Sequence, residues 1–169
     1  MRVYLVRHGV AVDKSGWAGP DEDRPLTTDG RSELVALLRD LKHDGDRPPK
    51  AIWTSPLVRA VQTAEACACI WAKRASVEVH RSLLSEAKPS ELVDELEKAT
   101  IEGPLALVGH EPQLGKFLAH VLGRDGKLEL PKGSVARLRW KEHRNPKWEF
   151  VTLRAPDLTR IVTDLSELC

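Results

Sequence analysis

Several things are scarce in this chain, and each scarcity narrows the reading. Its 169 residues hold three cysteines, one methionine and no surplus of charge, 26 Lys+Arg against 25 Asp+Glu giving a formal net charge of +1. Such a balance leaves no global field to draw in nucleic acid or an anionic membrane, so neither is an expected partner. No apolar run approaches the roughly 20 residues of a membrane-spanning helix. Cys67 and Cys69 are too close in sequence for a zinc pair, and no second Cys or His pair completes a site, so neither metal nor cofactor is expected. One cysteine is expected to pack inside and the others, including Cys169, to lie at the surface or tail. The odd count, with a strand predicted from Arg2 and no leader before it, points to a reducing cytoplasm. Repeats and low-complexity tracts are missing too. At this length one core is expected, making residues 1–169 a single domain, a monomer or weak dimer.

What is present alternates between short strand-like runs and longer helical ones. Residues 2–8 read as a strand, and a helix opens at Thr27 and runs to about Lys42, with Leu34, Val35, Leu37, Leu38 and Leu41 at helical spacing. AIWT (51–54) is a second strand, after which Ser55-Pro56 reads as cap-then-proline for a helix to about Lys73. VEVH (77–80) is a third strand, Pro89 opens another helix, and LALVGH (105–110) is a fourth, continuously apolar strand. Pro112 begins a helix to about Leu122. SVARLRW and WEFVTLR form a hairpin around Arg144-Asn145-Pro146, and Pro156 precedes a last helix. Strands alternating with helices specify an α/β fold, a three-layer α/β/α sandwich with a mostly parallel central sheet and an antiparallel C-terminal hairpin. The irregular stretch 10–26 is long enough to expect a functional loop.

Three strand ends carry polar groups that a core cannot use. The first ends in Arg7-His8-Gly9, the second runs into a helix with Arg59 in its first turn, and the fourth ends in Gly109-His110. Carboxyl ends of parallel strands share one edge of the sheet, so Arg7, His8, Arg59 and His110 should converge there. A cation in a helix's first turn costs about 0.3–1 kcal/mol, a cost offset when an anion binds. Two arginines, two histidines and two helix N-termini suit a phosphate dianion. A neutral imidazole is a phosphorus nucleophile, guanidinium charges keep it unprotonated, and a backbone carbonyl on Nδ1–H would aim Nε2 at phosphorus. Gly9 is expected to let the backbone approach the ligand. The implied chemistry is phosphoryl transfer to His8 followed by hydrolysis.

The segments LVRHG, RPLTTDGR (24–31), TSPLVRAVQTAE (54–65) and LVGHEP (107–112) resemble, in order and spacing, the histidine phosphatase superfamily, also called phosphoglycerate mutase-like. The short length, RPLT and GHEP most resemble the small phosphohistidine phosphatases of the SixA type. That resemblance implies the phosphoglycerate mutase-like fold, His8 as nucleophile and a phosphate pocket completed by Arg7, Arg59 and His110. It also implies a substrate that is a phosphorylated protein, in a phosphorelay or phosphotransferase system, or else a small phosphorylated metabolite. A phosphate-binding module without turnover is the rival of another class.

Other residues carry weaker signals. Many family members place an acidic residue after the third strand; here Glu86 is the candidate general acid and Asp13 the alternative. A site without a strong acid favours phosphohistidine, whose nitrogen leaving group departs readily. Trp17 is a candidate substrate-recognition residue, with packing the competing role. Thr27 to Gly30 read as a cap and turn, the RLRWKEHRNPKWEF hairpin as a solvated face, and His43, His80, His120 and His143 as surface or packing residues.

Overall fold

The computed structural model describes residues 1–125, 128–141, 147–157 and 161–168. Six strands form one sheet: β1 (Arg2–Arg7), β2 (Ala51–Thr54), β3 (Ser76–Val79), β4 (Leu105–Gly109), β5 (Val135–Trp140) and β6 (Trp148–Arg154), in the order β3-β2-β4-β1-β5-β6. The first four in that order are parallel; β5 runs antiparallel to β1, and β6 to β5. The expected α/β class and the hairpin at the sheet edge are therefore both present.

Alternate residues of each strand face opposite layers. Tyr4, Val6, Ile52, Ala106 and Val108 pack with Leu34, Leu38 and Leu41 of α1 (Thr28–His43) and Ala60 and Ala64 of α2 (Val58–Ala66). Val3, Leu5, Trp53, Leu105 and Leu107 pack with Leu92 and Leu96 of α3 (Pro89–Lys98) and Leu114, Phe117 and Leu118 of α4 (Gln113–Val121). Burial on both faces explains why β1 and β4 are apolar without alternation.

Some boundaries differ from the sequence reading. Thr27 caps α1 as expected, accepting the Gly30 amide on its hydroxyl at 2.9 Å. Ser55 is not the cap residue of α2: that helix starts at Val58 after Leu57, and the Ser55 hydroxyl is shared between the Leu57 N–H, which it accepts at 3.4 Å, and a histidine described below. After α2 a π-helical stretch, Cys67–Trp71, carries the chain on. Cys67 is buried and Cys69 exposed. Of the helix expected after Pro156, the described residues hold only a 3-10 turn at Leu165–Leu168, and residues 158–160 lie outside them. Val162, a β-branched residue, instead bridges Leu153 through two backbone hydrogen bonds of 2.8 and 2.9 Å. The hairpin turn at 144–146, with His143 and Cys169, lies outside the described residues.

Candidate active site

Strand pairing sets the site. Arg7 stands opposite Gly109 and Thr54 opposite Val108, and the pairing runs one residue further: His8 N–H donates to Gly109 O (3.1 Å) and Ser55 N–H to Val108 O (3.0 Å). His8, Ser55 and His110 thus leave the sheet from adjoining strand ends. The rings of His8 and His110 lie 4.9 Å apart, centroid to centroid. With Arg7 and Arg59 they line a cavity of about 230 Å³, which brings together the four residues expected to converge.

Each side chain is held by identifiable partners. His8 Nδ1 lies 2.7 Å from Gly9 O, an acceptor that fixes the proton on Nδ1 and leaves the Nε2 lone pair free. His110 Nε2 lies 2.8 Å from Ser55 Oγ, and its Nδ1 is buried without a partner. Arg59 donates from Nη1 to Asp21 O (2.7 Å) and from Nη2 to Asp21 Oδ2 (3.1 Å). Arg7 Nη1 donates to Leu130 O and, at 3.4 Å, to Glu129 Oε1. The Nε–H groups of both arginines are buried and unpartnered. Two guanidinium N–H donors left unpaired beside this cavity are suited to an oxyanion.

Burial is the main electrostatic influence. It lowers the His8 imidazole to about 4, with Arg59, Arg7 and Arg24 adding repulsion and the Gly9 carbonyl opposing. It lowers His110 to about 3, helped by His8 and Arg59 and opposed by Asp21. Burial works against the Asp21 carboxylate, yet Arg59 and Arg24 hold its pKa below the usual range.

The remaining expected residues fall elsewhere. Glu86 is exposed and does not line the cavity; it lies in an adjoining cleft, where Ser85 Oγ donates to its Oε2 at 3.0 Å. Ser85, one residue earlier, occupies the position in the cavity. Asp13, the alternative, does line it. Trp17 does not: its Nε1 donates to Pro20 O at 2.8 Å and its ring lies over Gly19, so it packs its own loop. Gly9 serves protein packing, since a Cβ there would meet Gly30 O at 3.1 Å and Leu26 at 3.4 Å.

Sequence reasoning missed Arg24, Lys132 and Glu111, all lining the cavity, and Asp21, which joins Arg24 to Arg59. Arg24 stood in the RPLT segment and was visible there; Lys132 carries no local signal. Glu111 turns its carboxyl towards backbone, Oε1 accepting the Leu130 N–H at 3.2 Å, and burial raises its pKa. Arg59, Gln62 and Thr63 share one face of α2, where Gln62 accepts the Leu26 amide (2.8 Å) and Thr63 the Gly9 amide (3.3 Å).

Residues 3–86 match the model of the histidine phosphatase superfamily, branch 1. An uncharacterized protein of Picosynechococcus sp. (strain ATCC 27264 / PCC 7002 / PR-6) is 36% identical over 143 residues, 82% of this chain and 85% of that one. The fold is similar to that of the protein histidine phosphatase SixA complexed with tungstate, with a TM-score of 0.81 at 24% identity over 92% of this chain and 97% of that one. It is also similar to a mycobacterial glucosyl-3-phosphoglycerate phosphatase in complex with VO3, with a TM-score of 0.64 at 20% identity over 88% and 96%. The chain is thus a phosphatase with a three-layer α/β fold. It belongs to the histidine phosphatase superfamily.

Proposed function

We propose that the chain is a protein phosphohistidine phosphatase working through a covalent intermediate on His8. The observation that carries the mechanism is the His8 Nδ1 contact with Gly9 O at 2.7 Å, which presents an unprotonated Nε2 beside His110 and three arginines. Nε2 attacks phosphorus, forming an N–P bond as the bond to the leaving group breaks. Arg7, Arg59, Arg24 and His110 hold the equatorial oxygens as charge redistributes. Water then attacks phosphorus, the N–P electron pair returns to Nε2, and inorganic phosphate leaves.

The substrate class rests on the leaving group. Glu86 stands outside the cavity, and the Glu111 carboxyl is turned to the Leu130 amide. A phosphohistidine donor makes the smallest demand on an enzyme acid, because its departing imidazole nitrogen takes a proton from water readily. The second reading, a small-molecule phosphomonoesterase, is favoured by Asp13, a carboxylate that lines the cavity. A phosphorylated histidine-containing carrier protein and a panel of sugar phosphates, each assayed with the parent, Asp13→Asn and Glu86→Gln, separate the two. Rapid carrier dephosphorylation indifferent to both substitutions supports the proposal. A sugar phosphate preferred over the carrier, with its rate collapsing in Asp13→Asn, overturns it.

A further inference from the structure

A second concavity lies at the opposite ends of the same strands. The residues entering β2 and β4, Lys50 and Pro104, are joined by a hydrogen bond from Lys50 N–H to Pro104 O at 2.7 Å. Beside them opens a groove of about 630 Å³. Its walls include Pro48, Pro49, Trp71, Ala72 and Pro104, of which Pro49, Trp71 and Ala72 are buried. Lys42, Arg47, Lys50, Lys73 and Arg74 stand around these apolar walls, and no carboxylate lines the groove.

That charge is locally uncompensated. All five cations are exposed, and none is ion-paired among the described residues. Neighbouring carboxylates are committed elsewhere: Asp46 to Arg137 and Arg2, and Asp44 to Arg154 at 2.6 Å. Glu102 precedes Gly103 but is exposed and does not line the groove. Five cations around one apolar groove, in a chain of net charge +1, form a concentrated positive field over a surface that water solvates poorly.

We propose that this groove binds a small amphiphilic anion, its aromatic or aliphatic body on the proline–tryptophan walls and its phosphate, sulfonate or carboxylate held by the surrounding lysines and arginines. The size suits a small molecule, within the ~300–1,000 Å³ usual for such pockets. Apolar walls with a cationic surround match both halves of an amphiphile, whereas a nucleic-acid strand calls for a longer basic track. β2 separates Lys50 from Ser55, and β4 separates Pro104 from His110, so the ligand would not compete with phosphate at the histidines.

The probe is 8-anilino-1-naphthalenesulfonate, titrated by fluorescence into the whole chain. The expected result is saturable one-site binding, weakened at least about tenfold in Lys50→Glu/Arg74→Glu. His8→Ala should leave it unchanged. N-phenyl-1-naphthylamine, which lacks the sulfonate, should bind at least about tenfold more weakly. Should the charge reversal fail to fold, as judged by circular dichroism, Lys50→Gln/Arg74→Gln takes its place. The proposal is overturned by unchanged affinity in a folded variant, by loss of binding in His8→Ala, or by equal affinity for the uncharged probe. Poly-glutamate or an oligonucleotide binding the same residues more tightly than the sulfonate also overturns it, by making the occupant a macromolecule.

Discussion

Burial and a single acceptor act on His8 in different ways. Gly9 O selects the tautomer, while desolvation removes the tendency to protonate, taking the pKa from an ordinary 6.5 to about 4. His110 moves the same way, to about 3. Because both folded values lie below the unfolded one, acidification adds protons to the unfolded chain before the folded chain can take them up. Ligand-free stability should therefore fall as pH drops from about 6.5 towards 4, read as a declining melting temperature. A double His8→Asn/His110→Asn variant should show a shallower decline; an identical slope would contradict the assignment. The acid limb of kcat/KM that belongs to the enzyme should sit nearer 4 than 6.5 on the same grounds.

Two acidic residues make distinct predictions at this scale. Asp21 engages Arg59 and Arg24 with its carboxylate, in competition with an incoming anion. Asp21→Asn should tighten competitive inhibition by inorganic phosphate by about 3- to 10-fold, measured as Ki at low salt. Weaker inhibition would show that Asp21 mainly orients the arginines. Glu111 accepts the Leu130 N–H, and the Leu130 carbonyl accepts from Arg7, so this residue's backbone links carboxyl to guanidinium. Glu111→Ala should lower kcat/KM for an aryl phosphate about 10-fold, whereas Glu111→Gln, still able to accept, should recover most of it. Equal rates for both variants would remove Glu111 from the account.

At the scale of elements, the site is a consequence of register. The ends of β1, β2 and β4 are brought level by pairing that continues to His8 N–H and Ser55 N–H, and α2 turns Arg59 into the space between them. Close approach elsewhere keeps the loops in place. A Cβ on Gly115 of α4 would overlap Leu128 O, and one on Gly30 of α1 would overlap Val10 O. Gly115→Ala should cost about 2–3 kcal/mol in chemical denaturation and displace the segment that holds Arg7. A neutral substitution would mean that this segment relaxes freely. The strand ends were legible from the sequence because an apolar run that stops at Arg-His-Gly or Gly-His has few structural explanations. The α2 start was not, since Ser55-Pro56 carries a capping signature while the Ser55 hydroxyl is shared with His110, a partner 55 residues away. Long-range partners of that kind leave no local trace, and Lys132 entering the cavity from the segment before β5 is another case. Trp17 and Glu86 lie outside the cavity for the opposite reason. Each looked suitable by residue type, but short-range contacts with Pro20 and Ser85 hold them away from the histidines.

For the molecule as a whole, two concave regions sit at opposite ends of one sheet and differ in character. At the carboxyl ends of the strands is a small polar cavity with histidines and arginines; at the amino ends is a larger apolar groove ringed by cations. The central strands of the sheet between them, β1 and β4, are buried throughout residues 3–6 and 105–109. They should give the slowest amide exchange in the chain, against fast exchange at the exposed edge strand β3. Protection as low in β4 as in β3 would show that the frame behind the histidines is not rigid.

The proposed mechanism turns on a bond between phosphorus and His8 formed during turnover. Rapid quench of the enzyme with a ³²P-labelled aryl phosphate, followed by peptide mapping under alkaline conditions, tests it directly. The expected result is an acid-labile phosphoryl group on His8, formed within the first turnover, and loss of at least about 10³-fold in rate with no labelling in His8→Ala. Steady turnover with no labelled enzyme, label on another residue, or a His8→Ala variant as active as the parent would contradict it.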